Sequence, residues 1–286
     1  MDASIQGKLS LLRGRVRELG SVLVCYSGGV DSAFVLAVAH AELGPAAVAM
    51  TAVSPSLAPG EREDAVAVAR EIGADHRLVE TSEIEDPRYA ANEPDRCFHC
   101  KSELYRLAED RRAAWGLTAI VNGTNLDDLG DYRPGLAAAK EYGARSPLVE
   151  AGFHKDDIRR AASLLGLSVW DKPAAACLSS RIPYGTRVTR ERLAQIAALE
   201  EELHAMGLRQ LRVRWHALPG ADGTVRDAAM ARIEVAEVEL ARAFEQRDAI
   251  VSAGKRHGYA YVTLDLQGYR VGSHNEVLRG RSLRVV

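Results

Sequence analysis

The chain has 286 residues, of which 47% are hydrophobic and 27% are charged, and its formal net charge is -2. This length allows a main domain with a smaller one, and the composition is that of a folded globular protein rather than a disordered one. The near-neutral charge gives no overall basic surface, so we expect no nucleic-acid partner.

Location and redox state are the next properties that the sequence bears on. It contains no run of eighteen apolar residues, and its first residues lack the basic-then-apolar pattern of a signal peptide. We therefore expect a cytoplasmic protein with no membrane partner. Four cysteines in such a chain fit reduced thiols, a metal site or a catalytic sulfur better than a disulfide framework.

Short apolar runs alternate with segments of helical apolar spacing in the first part of the chain. Helices are predicted at residues 5–19, 60–72, 97–115 and 154–165, and strands at 22–26, 46–53, 76–79, 119–122 and 167–170. This alternation predicts an α/β fold with a doubly wound parallel sheet. Ligands bind at the carboxyl ends of the strands in such sheets.

The second part of the chain has a different pattern. Residues 171–186 are irregular, with two prolines and a glycine, and a smaller α+β unit follows them. Helices are predicted at 189–206 and 237–257, and strands at 211–215, 231–235 and 259–264. We therefore predict a first domain at 1–186 and a second at 187–286, the latter for substrate binding or oligomerisation.

A glycine-rich motif, Ser-Gly-Gly-Val-Asp-Ser at 27–32, follows the first predicted strand and opens a helix. Backbone N–H groups and the helix dipole can hold phosphate there, although a plain glycine-rich turn is the alternative. The motif is neither a Walker A loop nor a Gly-x-Gly-x-x-Gly fingerprint. It resembles the signature of the PP-loop ATP pyrophosphatases. The resemblance implies that ATP phosphates are bound by Ser27, Gly28, Gly29, Asp31 and Ser32.

Two further segments follow predicted strands at the same rim. In the PP-loop family the end of the second strand, here Val53 and Ser54, meets adenine. The segment after the fourth strand contacts the nucleotide and supplies acid for Mg²⁺; here it includes Gly123, Thr124, Asn125, Asp127 and Asp128. Without the first motif, an ordinary acidic turn would explain the two aspartates equally well.

The cysteines make the resemblance more specific. Cys97 and Cys100 form a CxxC pair at the start of a predicted helix, and Cys177 lies in the stretch Lys-Pro-Ala-Ala-Ala-Cys-Leu-Ser-Ser-Arg-Ile-Pro-Tyr-Gly at 172–185. This stretch resembles the signature of the LarE family, and the likeness covers nearly all of the chain. It implies sulfur insertion into pyridinium-3,5-biscarboxylic acid mononucleotide for the nickel-pincer nucleotide cofactor of lactate racemase. It also implies a homo-oligomer, a trimer or a hexamer.

The sulfur source follows from the cysteine pattern. In single-cysteine members of the family, the residue aligned with Cys177 gives up its own sulfur. Three cysteines can instead hold a [4Fe-4S] cluster that carries an extra sulfide, as in the cluster-containing branch, and we favour that branch. The sulfide donor is undefined. The alternatives for Cys97 and Cys100 are a zinc site completed by His99 and Cys177, a redox pair, or inert thiols. Cys25, within a strand, is expected to be a buried apolar residue.

Charged residues complete the set of candidate site residues. Lys101 and Arg181 could neutralise phosphate or stabilise thiolate and oxyanion charge, or could be solvated surface residues. Arg212 and Arg214 alternate on one strand and so face one side, where they could bind the phosphate of a mononucleotide. Glu200 and Glu234 resemble acidic positions near the reactive cysteine of the family. His216 has no role that the sequence defines.

Other functions remain open from the residues alone. Some PP-loop enzymes with a CxxC pair thiolate tRNA, but the charge and the few aromatics argue against an RNA surface. Ammonia-dependent amide synthesis needs no cysteine trio. A non-enzymatic nucleotide-binding regulator would not need the phosphate loop and the cysteine segment together.

Overall fold

The computed structural model of the protein describes residues 3–130, 134–219 and 225–270. The chain divides into two compact units, one comprising residues 1–89 and 94–175, the other residues 90–93 and 176–286. Among the described residues, no helix combines the length and apolar character that crossing a bilayer requires.

The first unit is a parallel sheet with helices on both faces. Its strands are β1 (Val22–Cys25), β2 (Ala47–Val53), β3 (Asp75–Glu80) and β4 (Ala119–Val121). The helices up to residue 175 are α1 (Ala3–Leu19), α2 (Val30–Leu43), α3 (Pro59–Ile72), α4 (Pro87–Ala90), α5 (Arg96–Ala114), α6 (Pro134–Glu141), α7 (Pro147–Glu150) and α8 (Lys155–Leu164).

The strand order in this sheet is β3-β2-β1-β4, with every pairing parallel. Alternate residues of β1 enter different cores: Val22 and Val24 pack with α1, α2 and α8, while Leu23 packs with α5 and α6. A strand that is buried on both faces reads as a continuous apolar run, which is why β1 was recognisable in the sequence. The predicted doubly wound parallel sheet is confirmed.

The strand predicted at Leu167–Trp170 is wrong. This segment forms turns after α8, with the Leu167 N–H donating to Ala162 O and the Trp170 N–H to Leu167 O. Leu167 and Val169 are nevertheless buried in the main core, so their alternation with Ser168 reflects packing of a turn and not strand pairing.

The second unit is a smaller α+β arrangement. Its elements are α9 (Arg190–Ala205), β5 (Leu211–Pro219), β6 (Val225–Val235), α10 (Leu240–Glu245), α11 (Arg247–Arg256) and β7 (Tyr259–Leu264). In the order β5-β6-β7, the first pair is antiparallel and the second is parallel. The single helix predicted at 237–257 is wrong: a 3-10 turn precedes α10, and Gln246, with ψ 9°, separates α10 from α11.

The border between the units lies between residues 175 and 176, earlier than the predicted division after residue 186. The segment around Cys177 therefore belongs to the second unit. Its partners explain this placement, because Asn92 donates to the carbonyls of Ile182, Pro183 and Thr186 within that unit. The functional division of the chain into 1–186 and 187–286 stays a prediction.

Candidate active site

The phosphate-loop motif lies where the strand order of the first sheet reverses. It joins β1 to α2, and the segment Gly123–Asp128 follows the neighbouring strand β4. Crevices at such reversals are the usual ligand sites of doubly wound sheets. The two predicted nucleotide-binding segments thus meet at one rim of one unit.

Ser32 organises the loop from the first turn of α2. Its hydroxyl donates to Gly29 O at 3.1 Å and accepts from the Ser27 N–H at 3.1 Å. The hydroxyl oxygens of Ser27 and Ser32 are also 3.1 Å apart. These bonds fold the backbone around the N-terminus of α2, where free N–H groups and the helix dipole favour an anion.

Two glycines are required by the close packing of this rim. Gly28 has a φ of +76°, and a Cβ there would lie 2.8 Å from Ala65 Cβ on α3. A Cβ on Gly123 would lie 2.7 Å from the backbone nitrogen of Ser32. Any larger residue would displace the loop from α3 or from β4.

Asp31 has a basic partner that the sequence analysis missed. Lys155, at the start of α8, places its Nζ 2.5 Å from Asp31 Oδ2, and Asn125 Nδ2 lies 3.5 Å from Asp31 Oδ1. A lysine in the first turn of a helix opposes the helix dipole, and that unusual placement is the signal that could have singled it out. Lys155 therefore joins the candidate nucleotide-binding residues.

The two aspartates after β4 have different roles. Asp127 accepts from the Lys155 N–H at 2.7 Å and pairs with His154 Nδ1 at 2.7 Å, so it holds the start of α8. These hydrogen bonds lower the pKa of Asp127. Asp128 Oδ2 accepts from the Asn125 N–H at 3.1 Å. Asp127 is thus committed to the fold, and Asp128 shapes the turn that carries Asn125.

The end of β2 lies at the same edge of the sheet. Val53 O accepts from the Thr81 N–H at 3.0 Å, which continues the pairing with β3. The Ser54 hydroxyl accepts from the Ser56 N–H at 3.1 Å, so the chain turns away from the sheet at Ser54. Val53 and Ser54 therefore occupy the edge at which adenine binding was predicted.

The CxxC pair occupies the first turn of α5. Cys97 is exposed, Cys100 is half-buried, and neither Cys25 nor Cys177 forms a disulfide with them. Lys101, the next residue, is exposed. Within the part of the chain that the structure describes, no three His, Cys, Asp or Glu residues are arranged to hold a metal ion. The CxxC pair thus offers two thiolates of the first unit, while Cys177 belongs to the second.

Cys25 is partly buried against the core beside α5. Burial raises the pKa of its thiol to about 12, although Lys101 acts in the opposite direction. A thiol with this pKa is a poor nucleophile and a poor metal ligand at neutral pH. Cys25 is a core residue, as the sequence analysis expected.

Cys177 is exposed at the start of a 3-10 turn, and Arg181 fastens this turn to the second unit. The Arg181 Nη1 donates to Ala176 O at 2.6 Å and to Cys177 O at 3.1 Å. Its Nε and Nη2 donate to the two carboxylate oxygens of Glu200, at 3.0 and 3.2 Å. Burial alone would lower the pKa of Arg181, but Glu200 outweighs it and raises the pKa.

Glu200 and Glu234 are both buried and both hydrogen-bonded to protein groups. Glu200 Oε1 also accepts from the Val213 N–H at 2.8 Å, which ties α9 to β5. Glu234 accepts from Arg214 Nη2 at 2.8 Å and lies 3.1 Å from Arg232 Nη1. Arg214 also donates to Ser180 O at 2.7 Å. These contacts make Arg181, Arg214 and the two glutamates the frame that supports the Cys177 turn.

Arg212 differs from the other arginines of this unit. It is 7% exposed, and its hydrogen bond is donated by Nη2 to the Tyr269 hydroxyl at 2.8 Å. Within the described residues it forms no ion pair with a carboxylate. Burial lowers its pKa, and the positive charges of Arg214 and Arg181 add to that effect, while Tyr269 and Glu234 act in the opposite direction. A buried guanidinium without a carboxylate is suited to bind an anionic ligand.

His216 also belongs to this charged network. Its Nε2 accepts from Arg232 Nε at 3.2 Å, and Arg232 also donates to the Asp265 carboxylate. Burial, followed by the charges of Arg232 and Arg214, lowers the pKa of His216. The neutral imidazole is therefore the form that supports Arg232.

Similarity to known proteins agrees with this site. The profile of the Asparagine synthase family matches residues 12–93, which include the phosphate loop. The chain is 36% identical over 277 residues to the pyridinium-3,5-bisthiocarboxylic acid mononucleotide synthase of Lactiplantibacillus plantarum, covering 96% of each chain. It is 45% identical over 276 residues to an uncharacterized protein of Synechocystis, covering 96% of this chain and 99% of the relative.

A doubly wound sheet with the Ser-Gly-Gly-Val-Asp-Ser loop at its reversal point defines an ATP-dependent enzyme of the PP-loop class. The similarity over nearly the full length of both chains is more specific. This chain belongs to the LarE family of ATP-dependent sulfurtransferases.

Proposed function

We propose that this protein catalyses ATP-dependent sulfur insertion into pyridinium-3,5-biscarboxylic acid mononucleotide, converting its carboxylates into thiocarboxylates. The relative from Lactiplantibacillus plantarum is named for the bisthiocarboxylic acid product. The observation that carries the proposal is the second unit's combination of an exposed thiol, Cys177, with a buried guanidinium, Arg212, that forms no ion pair with a carboxylate of the described residues. A thiol can transfer sulfur, and a guanidinium can bind the phosphate of a phosphorylated substrate.

The first step activates the carboxylate. An oxygen of the substrate carboxylate attacks the α-phosphorus of ATP, the bond to the β-phosphate oxygen breaks, and pyrophosphate leaves. The loop residues Ser27, Gly28, Gly29, Asp31 and Ser32 are suited to hold the pyrophosphate, because the N-terminus of α2 presents N–H donors there. Mg²⁺ would offset phosphate charge near Asp128, and Gly123, Thr124 and Asn125 would border the nucleotide.

The second step replaces AMP with sulfur. Sulfur attacks the carbonyl carbon of the acyl-adenylate, and AMP leaves with the electron pair of the broken C–O bond. If Cys177 attacks, a thioester forms. Removal of the α-proton of Cys177 then cleaves its Cβ–S bond, which releases the thiocarboxylate and leaves dehydroalanine at position 177. Glu200 and Glu234 are tied to Arg181 and Arg214, so we assign them to positioning and assign proton removal to neither.

An alternative sulfur source is a [4Fe-4S] cluster, which would be held by Cys97, Cys100 and Cys177 and would supply a sulfide when bound. The donor set fits the cluster in kind, since cysteine thiolates are its usual ligands and three of them would leave one iron open for an extra sulfide. The proposal for the cluster rests on these residue types, because the described residues do not form a three-ligand group. With the cluster, Cys177 would be retained through turnover.

Substrate binding is the proposed task of the second unit. Arg212 would hold the phosphate of the mononucleotide, and Arg214 would keep the Cys177 turn in place through Ser180. Lys101 would neutralise phosphate or stabilise thiolate and oxyanion charge near the CxxC pair. The product would enter synthesis of the nickel-pincer nucleotide for lactate racemase, and the protein would act as a homo-oligomer, a trimer or a hexamer.

The decisive experiment mixes anaerobically purified protein with Mg²⁺-ATP, sulfide and pyridinium-3,5-biscarboxylic acid mononucleotide, and follows thiocarboxylate by mass spectrometry together with AMP and pyrophosphate. We expect the wild type to release one AMP per sulfur inserted. We expect Cys177→Ala to form no thiocarboxylate. Cys25→Ser is the matched control and should keep activity. AMP release without any thiocarboxylate, or full activity of Cys177→Ala, would overturn the proposal.

Iron and acid-labile sulfide analysis of the same preparations distinguishes the two sulfur sources. A four-iron cluster lost from Cys97→Ala, Cys100→Ala and Cys177→Ala would establish cluster-bound sulfide. An iron-free, active wild type whose Cys177 becomes dehydroalanine after one turnover would establish the sacrificial route.

A further inference from the structure

Arg212 must be held in place against unfavourable electrostatics. Burial of the guanidinium lowers its pKa, and the positive charges of Arg214 and Arg181 act in the same direction, against the opposite effects of Tyr269 and Glu234. Those two arginines are paired with carboxylates at 3.0 Å and 2.8 Å, whereas Arg212 forms no such pair within the described residues. A charged side chain in this position would turn towards water unless another group fixed it.

Tyr269 is the group that fixes it. The Arg212 guanidinium lies over the Tyr269 ring, with its Cζ 4.5 Å from the ring centroid, and Nη2 donates to the Tyr269 hydroxyl at 2.8 Å. Ring and hydroxyl therefore hold the guanidinium at two points. Because a neutral phenol is not a counter-ion, Tyr269 fixes the guanidinium without forming the ion pair that an aspartate or glutamate in its place would form.

The turn after β7 is built to place Tyr269. The Asp265 N–H donates to Ile233 O at 2.8 Å and the Tyr269 N–H to Val235 O at 2.7 Å, so the turn is joined to β6 on both sides of Glu234. Between them, Gly268 has a φ of +68°, and a Cβ there would lie 2.9 Å from Val235 O. Only glycine permits this close approach, which brings the tyrosine onto Arg212.

We propose that Tyr269 is a positioning residue that sets Arg212 as a phosphate anchor and thereby makes the enzyme select a phosphorylated pyridinium substrate over its dephosphorylated nucleoside. This inference rests on the proposed function for the identity of the substrate. It does not rest on it for the anion site, which inorganic phosphate can probe directly.

The test compares Tyr269→Phe and Tyr269→Leu with the wild type, using the full-length protein. Phosphate affinity is measured by calorimetric titration, and substrate preference by kcat/KM for the nucleotide relative to the nucleoside. Loss of the hydroxyl in Tyr269→Phe should weaken phosphate binding about tenfold, the usual effect of losing a hydrogen bond to a charged group. Tyr269→Leu, which also lacks the ring, should bind more weakly still, and the nucleotide preference should fall in parallel.

Tyr261→Leu is the matched control, because Tyr261 is 61% exposed on β7 with Lys255 5.7 Å from its ring centroid. It should leave both measurements unchanged. The ratio of nucleotide to nucleoside activity is taken within one sample, so partial unfolding of a variant does not alter it.

The possible results distinguish the role of Tyr269 from the existence of an anion site at Arg212. If Arg212→Gln loses phosphate binding while both Tyr269 variants bind like the wild type, the role of Tyr269 is refuted and the anion site stands. If the wild type binds no phosphate and Arg212→Gln keeps the nucleotide preference, the anion site itself fails, and the role of Tyr269 fails with it.

Discussion

The ammonium group of Lys155 lies 2.5 Å from the carboxylate of Asp31, joining the first turn of α8 to the first turn of α2. The backbone of Lys155 is held separately, by Asp127, so the side chain can change partner without moving the helix. The N-termini of both helices therefore meet at the phosphate loop, and we propose that Lys155 contacts the phosphates of bound ATP.

Replacing Lys155 with methionine should weaken ATP binding about tenfold, because a charge-assisted contact to the phosphates is lost. AMP binding should change much less, since AMP lacks the β- and γ-phosphates. Titration of both nucleotides by fluorescence or calorimetry measures the difference.

Lys8→Met is the control for Lys155, because Lys8 forms a comparable 2.6 Å ion pair with Asp157 of the same helix. It should leave both nucleotide affinities unchanged. Equal losses of ATP and AMP affinity in Lys155→Met would show a structural role for this lysine instead.

Gly28→Ala should abolish pyrophosphate release and lower the free energy of unfolding by about 1–3 kcal/mol. The positive φ and the 2.8 Å approach to Ala65 leave no room for a methyl group without moving the loop. Gly7 lies on the exposed face of α1, where an added Cβ would meet no neighbouring atom within 4 Å. Gly7→Ala should therefore stabilise the protein by about 0.5–1 kcal/mol. Urea denaturation and a pyrophosphate assay check both, and an active Gly28→Ala enzyme would contradict the loop geometry.

Much of the first unit could be predicted from the sequence because its signals are local. The strands β1 and β4 are continuous apolar runs, and the loop motif directly follows β1. The partners of the site residues were not predictable in this way. Lys155 and Asp31 are 124 positions apart in the chain, and only the packing of α8 on α2 brings them together.

The arginines of β5 show the same limit. Alternation correctly placed Arg212 and Arg214 on one face of the strand, but it could not tell which would be neutralised. In the strand register Arg212 lies opposite Glu234, yet Glu234 pairs diagonally with Arg214. The side-chain geometry between β5 and β6 thus decides that, among the described residues, Arg214 and not Arg212 pairs with Glu234.

Glu200→Ala should lower the free energy of unfolding by about 3–5 kcal/mol, the usual cost of removing one partner from a buried ion pair. Both side chains of the Arg181–Glu200 pair are under 10% exposed, at 9% and 8%. Because Arg181 also holds the carbonyls of Ala176 and Cys177, loss of Glu200 should disturb the Cys177 turn. The Cys177 thiol of the variant should then be alkylated at a different rate from that of the wild type under native conditions. Glu201→Ala, at the exposed neighbouring position, should change stability by less than about 0.5 kcal/mol. Equal stabilities of the two variants would argue against the pair as a support of the Cys177 turn.

The lowered pKa of His216 predicts that stability falls on acidification. The unfolded chain protonates this histidine near its ordinary pKa of 6.5, while the folded protein resists protonation because of burial and the charges of Arg232 and Arg214. Between the two pKa values the unfolded state binds more protons, so stability is fully present above pH 6.5 and is lost as the pH falls towards the folded pKa. One proton limits the slope to about 1.4 kcal/mol per pH unit, and partial exposure reduces it.

His216→Gln should flatten this slope, because glutamine can accept the hydrogen bond of Arg232 without titrating. Urea denaturation at intervals from pH 8 to pH 5 measures the change. His76, whose pKa burial also lowers, should give a second and independent contribution, so the double variant with His76→Gln should be flatter than either single one. A slope in His216→Gln as steep as that of the wild type would show that Arg232 and its neighbours do not oppose protonation of His216, and the neutral imidazole would no longer be needed to explain their arrangement.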